Sequence, residues 1–174
     1  MKDYLSLIDK RPSLRRCDVT PLFADHAVFS SLVDDLVRPF SSTRPDLVAG
    51  IDALGFILGV AIAIRLGVGF VPIRKGGKIP SEVDSLELID YTGQRKALEL
   101  RRGAVRPGAR ILLVDEWVET GAQVTTAAEL IERSGGVVIG VCAINIDVNE
   151  RTQKIRSRYF CHSLLPAGAA KSTR

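Results

Sequence analysis

The sequence predicts an α/β fold, a mostly parallel central sheet flanked by helices. Three observations carry this. Ile111-Leu112-Leu113-Val114 is a bare apolar run, the pattern of a strand buried on both faces, as in a parallel sheet. The segment beyond it has helical spacing at Val124, Ala127, Ala128, Leu130 and Ile131, and stops at Gly135-Gly136. A second such unit lies upstream: a buried strand over 46–51, then an apolar helix stopped at Gly67. The 174 residues fit one domain, and a 46% hydrophobic content suffices for its core.

The other elements follow in order. Residues 1–14 form an amphipathic start with a short helix over 4–8. Residues 16–23 precede a helix over 27–40, with Asp25 as a candidate cap and Val28, Leu32, Val33, Leu36 and Val37 on one face. Residues 69–74 are a strand. Residues 81–96 are polar and weakly periodic, which predicts a mobile loop. Arg106-Pro107-Gly108 turns into the strand at 111–114. Residues 137–146 read as one more buried strand, 150–155 as a short turn or helix, and 159–165 as a closing strand. The small, polar residues 167–174 are expected to fray.

Several classes are set aside. The charge of +4 includes no dense Lys/Arg block with interleaved aromatics, so no nucleic-acid partner is expected. The apolar window 54–71 is broken by Arg65 and Gly67, which predicts no membrane span. Cys17, Cys142 and Cys161 are odd in number and far apart, and no signal peptide opens the chain, which together predict a reducing, cytoplasmic setting. Gly67-Val68-Gly69 follows a helix rather than a strand, the wrong context for a dinucleotide fingerprint.

The chemistry concentrates between the strand and helix of 111–136. Asp115 and Glu116 end the strand, and Thr120-Gly121-Ala122-Gln123 opens the helix. Free N–H groups and the positive dipole at a helix start suit a phosphate. Adjacent carboxylates suit vicinal hydroxyls or a hydrated Mg²⁺. A phosphate beside a diol is a phosphorylated ribose. The same spacing also suits an ordinary β-turn-α unit with a solvated turn, and it lacks the GxxxxGK[ST] of a Walker loop.

This stretch resembles the phosphoribosyl-pyrophosphate (PRPP) signature of the type I phosphoribosyltransferases: apolar strand, two acids, two variable residues, then a Thr-Gly loop. The flanks are most similar to the adenine branch of that family, from about Arg16 to Leu165. The resemblance implies a Rossmann-like, mostly parallel sheet with a flexible hood loop over 81–96. Asp18, Val19, Thr20 and Pro21 resemble that branch's Phe-Arg-Asp-Ile-Thr-Pro, with Arg16 and Cys17 at its first two positions. Asp52 and Gly55 resemble its pyrophosphate loop Asp-Ser-Arg-Gly, with Ala53 and Leu54 replacing the serine and arginine. Arg74-Lys75-Gly76-Gly77-Lys78-Ile79-Pro80 resembles its Arg-Lys-x-Gly-Lys-Leu-Pro. Asp90-Tyr91 resembles the Glu-Tyr of the hood, with Arg95 and Lys96 as further candidates.

The resemblance therefore implies site roles. Asp115 and Glu116 would hold the ribose hydroxyls, Thr120, Gly121, Ala122 and Gln123 the 5′-phosphate, and Asp52, Ala53, Leu54, Arg74, Lys75 and Lys78 the pyrophosphate. Cys17, Asp18, Val19 and Trp117 would meet the base, with Trp117 able to stack on it. Asp115, Glu116, Glu119 and Asp90 are the catalytic candidates. Glu119 stands where the adenine branch has alanine and where the 6-oxopurine branch has an aspartate facing purine N7. A carboxylate about 5 Å from a phosphate charge would cost roughly 3 kcal/mol at an effective dielectric of 20, so Glu119 should point away from the phosphate. The resemblance to the 6-oxopurine branch implies that it faces the base as a proton carrier. No lysine lies in 141–147 to meet a 6-oxo group.

The implied activity is Mg²⁺-dependent transfer of phosphoribose from PRPP to a purine, adenine by default, in purine salvage. Mg²⁺ would be held mainly through PRPP, with no direct protein ligand, and the enzyme would be a homodimer. A non-catalytic PRPP or nucleotide-binding regulator and a 6-oxopurine phosphoribosyltransferase remain alternatives. His26 and His162 fall outside every segment assigned to chemistry.

Overall fold

The computed structural model describes residues 3–10, 17–90 and 93–166. Arg16, Tyr91 and the expected tail over 167–174 lie outside the described residues.

A 3-10 turn over Tyr4–Leu7 comes first, then β1 (Asp9–Lys10), paired antiparallel with β2 (Cys17–Asp18). α1 (Thr20–Ala24) and α2 (His26–Val37) follow. The Asp25 carboxylate accepts the Val28 N–H, the cap read from sequence. β3 (Leu47–Ile51) leads into α3 (Leu54–Leu66). Gly67 ends α3 at φ 69°, a left-handed stop that glycine adopts without strain. Then come β4 (Gly69–Lys75), β5 (Val83–Ile89), β6 (Arg95–Arg101) and β7 (Arg110–Val114). β8 (Trp117–Val118), α4 (Ala122–Arg133), β9 (Val137–Ala143) and β10 (Asn145–Ile146) follow. α5 (Glu150–Arg158) and β11 (Cys161–Ser163) complete the fold.

Among the described residues, seven strands form the main sheet in the order β11-β9-β7-β3-β4-β6-β5. The five from β11 to β4 run parallel. β6 and β5 add antiparallel to that edge. Each central strand feeds both faces by its pleat. Ile111 and Leu113 enter one apolar cluster, with α4, while Leu112 and Val114 enter the other, with α2 and α3. The apolar run is uninterrupted because both faces are covered.

Two expectations need revision. Within 81–96, expected as a mobile loop, the described residues Val83–Ile89 and Arg95 onward form paired strands. β5 and β6 pair from Val83 with Arg101 to Ile89 with Arg95. Leu88, Leu98 and Leu100 join the cluster that also holds Val124 and Ala127 of α4. The strand expected over 137–146 is two, β9 and β10, because the Ile144 and Asn145 N–H groups turn to the Glu116 carbonyl. The turn or helix expected over 150–155 is a nine-residue helix, nucleated by a reciprocal capping box between Asn149 and Thr152. Among the described residues, no helix is long and apolar enough to cross a membrane.

Candidate active site

The topology fixes where a site can form. α3 carries the chain from β3 to β4 on one side, and α4 carries it from β7 to β9 on the other. Between the carboxyl ends of β3 and β7 the connections diverge, which opens the crevice where α/β sheets bind ligands. Asp52 follows β3, Asp115 follows β7, and Arg74 and Lys75 end β4. Strand order alone thus gathers three of the predicted segments.

Side-chain geometry agrees. The Asp52 carboxylate lies 3.9 Å from Arg74 Nε and 4.0 Å from Lys75 Nζ. The α3 start packs on the acidic turn so closely that a Cβ on Gly55 would lie 3.3 Å from Asp115 Oδ1. The Asp52–Ala53 peptide is cis. Ala53 and Leu54 present no polar side-chain group there, and Leu54 packs against the second apolar cluster.

Asp115 is buried, 5% exposed, and its Oδ1 accepts the Glu116 N–H at 2.9 Å. Desolvation first, and then Glu116 beside it, push its carboxyl well above the ordinary carboxylate range, while the positive charge of Lys75 pulls the other way. An ammonium that reaches Asp115 electrostatically and Asp52 at 4.0 Å joins the acidic and basic segments into one site. Glu116 is less buried, and its carbonyl accepts the Ile144 N–H at 3.1 Å, which anchors the turn to the end of β9.

The loop over 120–123, expected to bind a phosphate, is set from behind. Gly121 has φ 80°, and a Cβ there would lie 2.7 Å from Ile155 Cδ1, so only glycine seats the loop against α5. Thr120 Oγ1 accepts the Ala122 N–H at 3.3 Å, so one amide expected to face a phosphate is engaged within the loop. Ala122 and Gln123 begin α4.

The other candidates divide. Cys17, Val19 and Trp117 all belong to or pack against the second apolar cluster, Val19 within it at 2% exposure. Asp18 Oδ1 accepts the Thr20 N–H at 2.9 Å at the head of α1. Asp90 is not gathered with Asp115. It sits at the hairpin tip, where Lys96 Nζ approaches its Oδ2 at 2.5 Å and the Gln94 N–H donates to its Oδ1. Arg95 pairs loosely with Glu87 on the same hairpin. Lys78 is held through its backbone, its carbonyl accepting from Arg74 at 2.9 Å.

Two positioning groups escaped the sequence reading. Glu99 of β6 accepts the Gly77 N–H at 2.7 Å and the Lys78 N–H at 3.4 Å, fixing the basic turn from 22 and 21 residues away. Asn149 donates to the Glu119 carbonyl at 2.7 Å across 30 residues. Neither separation leaves a local signal. A cavity of about 510 Å³ opens beside this contact, lined by Glu119, Thr120, Asp147, Asn149 and Arg151 among others. The sequence reading placed only Glu119 and Thr120 at a site.

Known proteins share this fold. The phosphoribosyl transferase domain family matches residues 26–168. The adenine phosphoribosyltransferase of Dinoroseobacter shibae is 43% identical over 150 residues, 85% of this chain and 83% of that protein. The solved adenine phosphoribosyltransferase of Thermoanaerobacter pseudethanolicus superposes with a TM-score of 0.87 at 32% identity, covering 93% of this chain and 96% of that one. That of Giardia lamblia, in complex with 9-deazaadenine, gives 0.80 at 25% identity over 91% of this chain and 94% of that one. With most of its length matched and its candidate site at the ends of β3, β4 and β7, the chain belongs to the phosphoribosyl transferase family.

Proposed function

We propose that this protein transfers phosphoribose from PRPP to N9 of adenine, releasing pyrophosphate and giving AMP, in purine salvage. The observation that carries the reading is the meeting of Asp52, Arg74, Lys75 and Asp115 at the ends of adjacent parallel strands. The relatives named adenine phosphoribosyltransferase, one of them holding 9-deazaadenine, support adenine as the base.

In this reading Asp115 and Glu116 hold the ribose hydroxyls and face the positive charge that grows on the sugar as the glycosidic bond to pyrophosphate breaks. Arg74, Lys75 and Lys78 stabilise the departing diphosphate. The amides from Thr120 to Gln123 take the 5′-phosphate. Glu119 and the wall of Cys17, Asp18, Val19 and Trp117 meet the base, which loses its N9 proton as the new bond forms. The hairpin of β5 and β6 supplies the hood that keeps water from the sugar cation, and Asp90 at its tip acts only once the tip has closed.

The donor set suits Mg²⁺. Two adjacent carboxylates are hard oxygen ligands but too few for a protein cage, so Mg²⁺ would enter on PRPP, with water and diphosphate oxygens completing its shell. Once bound, the ion neutralises diphosphate charge.

α3 supports a homodimer. Ile57, Val60 and Ile64 lie three and four residues apart and stand exposed on one face, Ile64 at 76%. A second copy is the partner that would cover this stripe. The odd, widely spaced cysteines support a cytoplasmic location.

A second reading, a PRPP-binding regulator without turnover, draws on Ala53 and Leu54, which supply neither hydroxyl nor guanidinium to the pyrophosphate loop. One experiment separates the two: purified protein with Mg²⁺, PRPP and each purine in turn, followed for nucleotide and for PRPP binding. AMP formation supports the enzyme. Binding without nucleotide from any base supports the regulator.

A further inference from the structure

We infer that Asn149 is a positioning residue that sets the PRPP 5′-phosphate loop from behind; this rests on the reading of residues 120–123 as that loop.

The Asn149 side chain is used at both ends. Its Oδ1 accepts the N–H groups of Arg151 and Thr152, each at 3.0 Å, and so caps α5. That fixes which end is the amine, because a helix start presents only donors. Its Nδ2 then donates to the Glu119 carbonyl at 2.7 Å. The cap itself is held tightly. The Asn149 N–H donates to Thr152 Oγ1 at 3.0 Å, and the fully buried Thr152 hydroxyl reaches the Asp147 carbonyl at 2.6 Å. Asn149 is therefore a rigid strut between a helix start and the residue that precedes Thr120-Gly121.

The peptide that follows Glu119 is trans and planar, so holding its carbonyl on Asn149 turns the Thr120 N–H the opposite way, away from α5. At the next residue, Gly121, an added Cβ would lie 2.7 Å from Ile155 Cδ1, on the same helix one turn further on. Two contacts from α5 thus fix both ends of the Glu119–Gly121 turn. The helix serves as the backstop of the loop, and the loop's amides keep one orientation before any ligand arrives. Preorganisation of this kind strengthens anion binding because the donors need no reordering on contact.

Cap and strut are separable by chemistry. Aspartate at 149 retains the acceptor for Arg151 and Thr152 but cannot donate to Glu119. Serine also caps, and its shorter hydroxyl cannot span both partners. The experiment compares wild type, Asn149→Asp and Asn149→Ser in steady-state kinetics and thermal melting, with PRPP and adenine varied separately. The wild type is measured first. The inference predicts a KM for PRPP raised about tenfold in both variants, the worth of one well-placed hydrogen bond. The KM for adenine and kcat should stay within about twofold, and the melting temperatures should fall by no more than a few degrees. Serine serves if the aspartate variant does not fold. Variants with unchanged KM for PRPP, or with all constants and the melting temperature falling together, overturn the inference while leaving the site reading intact. A wild-type protein that neither binds nor uses PRPP overturns both.

Discussion

Gly55, at the head of α3, rests directly on Asp115, at the end of β7. A Cβ at residue 55 would lie 3.0 Å from the Val114 carbonyl oxygen and 3.3 Å from both the Asp115 Cα and Oδ1. The loop proposed to bind pyrophosphate and the acids proposed to hold the ribose thus meet at a position that has no room for a side chain.

Gly55→Ala should therefore damage the fold and the site together. Two of the three groups it meets, the Val114 carbonyl and the Asp115 Cα, are backbone at the end of a central strand and yield little, so the overpacking should cost about 1–3 kcal/mol. Denaturant unfolding reads the stability, and a PRPP titration should show weakened binding at temperatures where the variant remains folded.

Asp115 makes a pH-dependent prediction. Burial and Glu116 hold its carboxyl above the ordinary range in the folded protein, so the folded state binds a proton more tightly than the unfolded one. Stability therefore falls as pH rises from the ordinary carboxylate value through the raised folded one, and the full cost is present above that window. Asp115→Asn removes this cost. The variant should melt higher than wild type at pH 8, with the advantage vanishing in acid below the ordinary carboxylate range, and it should bind PRPP poorly. Melting curves across pH check the first part. An advantage that grows in acid would contradict the assignment.

Glu99→Gln tests the support of the basic turn. The charged acceptor of the Gly77 and Lys78 N–H groups becomes a neutral amide with one acceptor oxygen. The KM for PRPP should rise severalfold while the KM for adenine holds, and inhibition by pyrophosphate should weaken in parallel.

Ile64→Asp tests the dimer. A charge at the most exposed apolar position of the α3 stripe should drive the protein to monomer in sedimentation while leaving its far-UV circular dichroism unchanged. An unchanged sedimentation coefficient would move the interface elsewhere.

These cases show what was legible in the chain. Ile111 to Val114 announced a doubly covered strand because every residue is apolar, and Gly67 announced the end of α3 because the turn needs a left-handed residue. Asp115, Lys75 and Asp52 lie on three separate segments, and their gathering follows once those segments are read as ends of adjacent strands. β5 was hidden because Leu88 is its single buried residue, so alternation barely registers in Val83–Ile89. Glu99 and Asn149 were hidden for another reason. Each acts on a backbone atom more than 20 residues away, and a hydrogen bond to backbone selects no particular residue at the far end.

The most direct test of the central claim, that one crevice holds both sugar acids and diphosphate cations, is the PRPP- and Mg²⁺-dependent conversion of adenine to AMP by the wild type, Asp115→Asn and Lys75→Met proteins. The account predicts AMP with release of one pyrophosphate in the wild type, and severe loss in each variant, through weakened PRPP binding in both. Wild-type activity that survives in both variants, or turnover that does not depend on PRPP, would contradict it.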